Sequence, residues 1–550
     1  MTSAVSQDSG EVYIVGTGQG NGALSGSVVE NSMTESAIDR LPPELLIPVF
    51  QRVQWLYGWP VESHTNASLL WLRVTWVCHR WRVVALQAPV LWTTISCHNH
   101  LKTVESLSAF LERAAGANLN LKLHSSKGRS TLDTILLHSD RVRSLSLVLG
   151  DSEEEYFPAL VEFFPPVMPA LEQLSISDHM SRQWWSSAEG TLLDGRFPRL
   201  RHLSLSFFNF HWNSPVYRSL RSLVLFGLTG KEKPTIAQFL GILQACPELE
   251  SLRAQDFLGG AETDDSGHVV TLPHLRELVL GDTFRRASSL CDQLSVPPAC
   301  CIDVTYGLFF ATQALFDLPI MRILPRQRVF QCHVAHAQSL SLLVGELHVG
   351  LQFELGEGVT ASVKMFNDVW RLFVTPAEWR ASLDSFAGLP LTRLLISYLS
   401  LSLLPKALWR NLFSAFPSLN SIVVGYPIVA GLSDDLPYRR PKALDYLGQV
   451  LHASDDETDG TYATALRTIQ ILRAIVDEYM ASELLSLVRL RASDGVPLAE
   501  VAFVDSYCDR ALERDDFVSQ LAAFVKISVV YRREDGYHLV ATTLEYMMES

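Results

Sequence analysis

Read as a string of apolar and polar positions, the middle of the chain repeats one figure. An apolar residue, a proline, a variable residue and a leucine are followed by two variable residues, another leucine, and an apolar residue two places on. The copies are MPALEQLSI from Met168, FPRLRHLSL from Phe197, CPELESLRA from Cys246, LPHLRELVL from Leu272 and FPSLNSIVV from Phe416. Shorter versions begin at Arg141 (RVRSLSL), Tyr217 (YRSLRSLVL) and Leu389 (LPLTRLLI). From Val142 to Leu275 the copies are spaced 20 to 29 residues apart. Chance apolar periodicity makes one or two such copies, not five with the same proline. Residues two apart on a strand point to the same side, so each copy predicts a strand with one buried face. The rest of each unit leaves room for a helix. Residues 281–388 carry no clear copy.

Leu-x-x-Leu-x-Leu at this spacing resembles the leucine-rich repeat. The resemblance implies a solenoid in which stacked units bury a continuous core that no single unit closes alone. The fold class is therefore α/β: a small helical unit followed by an irregular leucine-rich-repeat-like solenoid with parallel strands and outer helices. The solenoid is assigned to residues 97–426. The asparagine or cysteine that usually follows the strand is missing. The residues alternating with the leucines are expected to line a concave face: Ser144, Ser146, Gln173, Ser175, His202, Ser204, Ser222, Val224, Ser251, Arg253, Glu277 and Val279. That face is Ser-rich and nearly neutral. Phosphate recognition calls for clustered arginines, so a client is expected to be read by shape, by loops or by the C-terminal part. Residues 427–460, ending near SDDETDG, read as an acidic loop or linker, and 461–550 as a region capping the array. Within that region Ile469, Leu472, Ile475 and Tyr479 fall at helical spacing and predict an amphipathic helix, followed by a second helix. GVPLAEVAFVD from Gly495 and FVKISVVYRRE from Phe524 predict strands.

Ahead of the repeats the period changes. In IDRLPPELLIPVFQRV the residues Leu45, Leu46, Val49, Phe50 and Val53 recur at helical spacing. Pro42 and Pro43 suit a first turn, Glu44 suits the positive end of the helix dipole, and Pro48 threatens to kink or shorten the helix. After a polar stretch, Leu70, Val74, Val77, Cys78, Trp81 and Ala85 lie on one face of a 3.6-residue period and predict a second helix. His79, Arg80 and Arg82 form its solvated face, and APVLWTTI closes the unit.

The anchors Leu41-Pro42, Glu44, Leu45, Phe50, Val77-Cys78-His79-Arg80-Trp81 and Leu91-Trp92 resemble the F-box, most of all the F-box-like domains abundant in basidiomycete fungi. Here Arg80 directly precedes the tryptophan, and about eighteen residues between Phe50 and Leu70 lengthen the usual link. The resemblance implies an F-box-like domain over residues 38–96 that docks onto a Skp-type adaptor and so joins a cullin–RING ubiquitin ligase as its substrate receptor. It also implies the docking residues: Leu41, Pro42, Leu45, Phe50, Val77, Cys78, Trp81, Leu91 and Trp92. Catalysis would belong to partner proteins. A repeat scaffold without a ligase role is the alternative reading.

Composition narrows the picture. Of 550 residues 48% are apolar and 19% charged, enough for sizeable cores and too apolar for a mainly disordered chain. The net charge of −14 argues against non-specific nucleic-acid or anionic-membrane binding. The start lacks a signal-peptide pattern, and no apolar run reaches the ~20 residues of a membrane span. With eight scattered cysteines that read as reduced thiols, the expected location is cytoplasmic or nuclear. Two chemical motifs invite attention. VYIVGTGQGNGA places Gly18, Gly20 and Ala23 at dinucleotide-loop spacing, which would make the chain a nucleotide-dependent enzyme. The following LSGSVVENSMTES is a poor helix, so residues 1–37 read as a flexible tail. The clusters Cys97-His98-His100 and Cys332-His333-His336 lack paired zinc-ligand spacing. No cofactor, metal or catalytic site is expected.

Overall fold

The computed structural model describes residues 41–58, 66–97, 104–124, 134–135, 137–149, 167–178, 195–208, 210–228, 233–259, 268–306, 328–344, 348–356, 358–366, 389–396, 413–425, 464–472, 475–504, 506–508, 514–532 and 539–542. The glycine stretch at Gly18, Gly20 and Ala23, residues His98 and His100, and the acidic stretch 427–460 lie outside these.

The recurring proline has a local cause. In every full copy the leucine N–H donates to the carbonyl of the apolar residue three places earlier, with the proline second. Leu171 bonds Met168 (3.2 Å), Leu200 bonds Phe197 (3.2 Å), Leu249 bonds Cys246 (3.1 Å), Leu275 bonds Leu272 (3.3 Å) and Leu419 bonds Phe416 (3.1 Å). Each copy thus opens with a β-turn. Proline presets φ at the second turn position, where its missing N–H costs nothing. Both apolar ends of each turn are buried.

A strand follows each turn, and strands without the full turn join these in one sheet. The first nine are β1 (Thr94–Cys97), β2 (Leu119–His124), β3 (Val142–Leu149), β4 (Gln173–Asp178), β5 (His202–Ser206), β6 (Ser222–Phe226), β7 (Ser251–Gln255), β8 (Glu277–Asp282) and β9 (Cys301–Tyr306). They lie side by side in chain order, all parallel. The register carries one apolar row from Ile95 through Leu121, Leu145, Leu174, Leu203, Leu223, Leu252 and Leu278 to Ile302. A second row, two residues on, runs from Leu123 to Val304. Every member of both rows is buried. These rows are the core of a leucine-rich-repeat-like array.

In the stretch without a readable copy, the order reverses. Strands β10 (Ser339–Val344), β11 (His348–Gly356) and β12 (Val359–Phe366) form an antiparallel meander. Its last strand, β12, pairs with β9, and its first, β10, pairs with β13 (Arg393–Ile396), both in parallel. The parallel stack resumes through β14 (Ser421–Val424), β15 (Thr468–Leu472), β16 (Glu500–Val504) and β17 (Lys526–Arg532), and β18 (Leu539–Thr542) closes it antiparallel. The apolar row continues across the reversal through Ala361, Phe353, Leu340, Leu394, Ile422, Ile469 and Val501 to Ile527. Among the described residues these form one sheet of 18 strands.

The expected helix through Ile469, Leu472, Ile475 and Tyr479 is not there. Ile469 and Ile471 are buried two apart on β15, and the helix begins only at Glu478. The alternation of Thr468, Ile469, Gln470 and Ile471 suits a pleated strand, and β-branched side chains favour it. The two strands expected beyond it are β16 and β17.

Helices close the array's apolar side. They are α3 (Val104–Arg113), α4 (Ile236–Gln244), α5 (Phe284–Asp292), α6 (Arg328–Ala335), α7 (Glu478–Ser493) and α8 (Arg514–Ala522). Buried residues of these helices belong to the same hydrophobic cluster as the strand rows. Ahead of them stand α1 (Pro43–Gly58) and α2 (His79–Gln87). Pro48 does not shorten α1. The second predicted helix is instead two elements: a 3-10 helix, Asn66–Trp76, and α2, broken at Val77–Cys78. Cys78 is extended (φ −155°, ψ 168°) and acts as N-cap, its Sγ accepting the Trp81 N–H at 3.4 Å. The change from three residues per turn to 3.6, with the break between, takes Val77 off the buried face on which Trp71, Val74 and Ala85 lie.

Candidate partner-docking face

The helical unit is held from inside by aromatic packing. Trp92 is buried, meets Trp71 (5.2 Å) and Phe110 (4.9 Å) edge-on, and donates its indole N–H to Ala85 O at 2.8 Å. Phe50 packs on Trp81 with ring centroids 5.0 Å apart. The Arg80 guanidinium donates to the Leu41 carbonyl, tying the start of α2 to the start of α1. Gln54 of α1 donates to Leu91 O at 3.0 Å.

The nine residues implied by the resemblance therefore divide. Phe50, Leu91 and Trp92 are buried and help fix the geometry of the unit. Leu41, Cys78 and Trp81 are half-buried. Pro42 is exposed, its carbonyl accepting the N–H groups of Leu45 and Leu46. Leu45 and Val77 are open to solvent, at 53% and 61%. Helical spacing placed Leu45, Leu46, Val49 and Phe50 together, but only Leu46 and Phe50 turn inward.

The outward set is larger than expected. Val49, Trp55, Leu56 and Trp76 are also exposed, Trp76 at 73%. The Arg52 guanidinium lies 4.2 Å above the Trp55 ring, a contact that attracts a cation to an aromatic face. Among the described residues from 41 to 93 there are four arginines (Arg52, Arg73, Arg80, Arg82) and one acid, Glu44. In a chain of net charge −14 this unit is locally basic. Amphipathic counting alone underestimates this surface, because a helix that is apolar nearly all round buries only one side against a small partner layer.

On the array, the residues expected between the leucines lie in continuous rows on the opposite side of the sheet. One row pairs Ser146, Ser175, Ser204, Val224, Arg253 and Val279. The neighbouring row pairs Ser144, Gln173, His202, Ser222, Ser251 and Glu277. Arg253 is engaged by Glu277, Nε to Oε2 at 3.0 Å, and Ser251 donates to the same oxygen at 2.9 Å. Hydrogen bonding by Arg253 holds the Glu277 carboxyl below its usual value. Further along, Ser339, Ser341, Ser362, Val423 and Ala502 occupy the same side and are buried, so this face is more covered at its centre beyond β10 than over β3–β8, while Arg393 and Lys526 stay exposed on it.

The missing repeat asparagine has a substitute that the sequence reading passed over. Asp282, at the end of β8, is 1% exposed and accepts the N–H groups of Leu258 (3.0 Å), Phe257 (3.3 Å) and Thr283 (2.7 Å). It binds the preceding unit to its own. Burial raises its pKa, opposed by these hydrogen bonds and by Arg286. His333, from the second Cys/His cluster, is buried with Nε2 2.8 Å from Cys300 O, an interior hydrogen bond. Burial pushes the Cys300 thiol up to about 12. Among the described residues no three His, Cys, Asp or Glu side chains gather to hold a metal, and no helix is long and apolar enough to cross a membrane. A shallow recess of about 720 Å³ lies between α7 and α8, with Leu485 and Phe517 among its walls and Arg489 and Asp516 beside them.

No family model matches the chain, and no curated protein matches it. Among solved structures, the leucine-rich repeat-containing protein LegL7 from Legionella pneumophila is similar over 74% of this chain and 98% of its own. The identity is 12% and the TM-score 0.24. The assignment of a leucine-rich-repeat-like array rests on the turn, strand and register of the units themselves.

Proposed function

We propose that the chain is a protein-recognition subunit: the substrate receptor of an SCF-type cullin–RING ubiquitin ligase, acting in the cytoplasm or nucleus. The helical unit docks onto a Skp-type adaptor, and the open face of the array takes the client. The observation that carries this reading is the exposed apolar surface formed by Leu45, Val49, Trp55, Leu56, Trp76 and Val77 on a unit whose interior is otherwise tightly packed. Several large apolar side chains exposed on one small unit mark an interaction site, and tryptophans commonly supply most of the binding energy. The surplus of arginines around it suits an acidic partner surface carrying an apolar groove. Ubiquitin transfer itself belongs to the partners, and the chain contributes no catalytic group or cofactor.

The test is co-expression of the full chain with a Skp-type adaptor, followed by size-exclusion chromatography. Leu45→Asp/Val77→Asp changes two exposed residues and leaves the packed Phe50, Trp71 and Trp92 untouched. A complex formed by the wild type and lost in this folded variant is the expected result. A wild-type chain that folds and forms no complex returns the protein to the alternative, a repeat scaffold outside any ligase.

A further inference from the structure

Within the open part of the array, one place breaks the hydroxyl-rich pattern. Phe226, at the end of β6, stands 43% exposed, and Phe207 sits beside it with ring centroids 5.4 Å apart and planes at 88°. The residue that follows each strand here turns in the left-handed region and donates its N–H to the next strand. Phe207 (φ 54°) bonds Phe226 O, Gly227 (φ 60°) bonds Gln255 O, and Asp256 (φ 48°) bonds Gly281 O. Glycine and aspartate tolerate that conformation, but a bulky ring at positive φ is strained. At the corresponding corner of β7, Asp256 is held by Lys233. At the β5 corner the strained side chain holds nothing polar. Its ring lies against the bare backbone of Gly227, where an added Cβ would stand 2.4 Å from Phe207 Cε1.

Strain of this kind, matched by a glycine that makes room for the ring, is a motive to look for function. We propose that Phe207 and Phe226 form an aromatic shelf that seats an aliphatic or aromatic side chain of an uncharged, extended client peptide. This deepens the reading of the array as a protein-recognition surface and rests on it. Charge selects the partner. On the outer rows of β3–β8 the charged residues are Arg253 and Glu277, and they pair with each other. A phosphorylated or strongly acidic segment would have to break that pair, whereas a neutral one leaves it intact. Ser206, paired with Phe226, and Ser204, two residues back on the same outer row, border the shelf and offer hydroxyls to a peptide main chain. An exposed aromatic beside uncharged hydrogen-bonding groups is a common arrangement for an anchor residue.

The test measures binding of labelled short peptides to the full chain by fluorescence polarisation. One set has neutral Gly/Ser/Asn backgrounds with Phe, Leu or Tyr at the centre, a second has Ala there, and a third has phosphoserine. The expected result is binding of the apolar-centred set alone, weakened about tenfold or more in Phe226→Ser. Phe207→Gly relieves the backbone strain, so it should lose binding while its thermal midpoint stays level or rises; a ring that is merely structural would lower the midpoint instead. Equal binding by wild type and Phe226→Ser overturns the shelf but keeps the array as a recognition surface. Preference for phosphopeptides, or no binding by any set, overturns the proposal. Adaptor complex formation by Phe226→Ser, read separately, shows that the docking reading stands or falls on its own.

Discussion

Asp282 shows how much one buried group does in this protein. Three backbone N–H groups, from two adjacent units, end on its carboxylate. Removing the acceptor leaves buried donors unsatisfied, each costing about 1–3 kcal/mol. Asp282→Ala should therefore lose about 3 kcal/mol or more in denaturant unfolding, while Asp282→Asn, which keeps an acceptor oxygen, should lose much less. His333 makes a second residue-scale prediction. Its folded pKa is depressed, chiefly by burial. The stability from burying it neutral is present above its unfolded pKa, near 6.5, and is lost as pH falls towards the lower folded value. The thermal midpoint should drop as pH is lowered through 6, and His333→Gln should flatten that drop.

At the scale of elements, turn and cap chemistry explain where the units begin. The apolar-Pro-x-Leu turns were legible because each part is local: proline at the second turn position, apolar ends, and alternation after it. The start of α4 is equally local. Thr235 accepts the Gln238 N–H, while the Gln238 side chain accepts the Thr235 N–H, a reciprocal cap on α4. Thr235→Ala should cost about 1 kcal/mol, measured as a shift in denaturation midpoint with unchanged slope. Where local rules compete, pairing with distant strands decides. Ile469 to Tyr479 satisfies a helical period, yet pairing of β15 with both β14 and β16 gives its isoleucines a buried row. The exposed apolar side of the helical unit was half legible for the same reason. Period placed Leu45 and Phe50 on one helix, but which side α1 shows to the core depends on Trp71 and Trp81, from elsewhere in the chain.

For the whole molecule, the stack behaves as a line of neighbours. Each unit's stability comes largely from the two that flank it. Leu223 is the central member of the apolar row between β5 and β7. Leu223→Ala should cost about 2–5 kcal/mol, and hydrogen exchange should show lost protection in β5–β7 with protection retained in β14–β16. Uniform loss throughout the sheet would instead mean a single cooperative unit. The reversal at β10–β12 is a whole-molecule feature too. Its strands have good alternation, but nothing in residues 339–366 states that β12 will lie beside β9 and β10 beside β13.

The sequence by itself determined the repeating turn and strand, the side of each strand that is buried, and the positions that make up the outer face. Those follow from proline's fixed φ and from the two-residue period of a strand, both properties of a few consecutive residues. The tertiary structure alone decided the neighbour order through the meander, the role of Asp282, the exposure of Trp76, Val77 and Phe226, and the pairing that neutralises Arg253. Each of those depends on which distant surfaces meet, and a contact between residues far apart in the chain is set by the packing of the whole rather than by any local pattern.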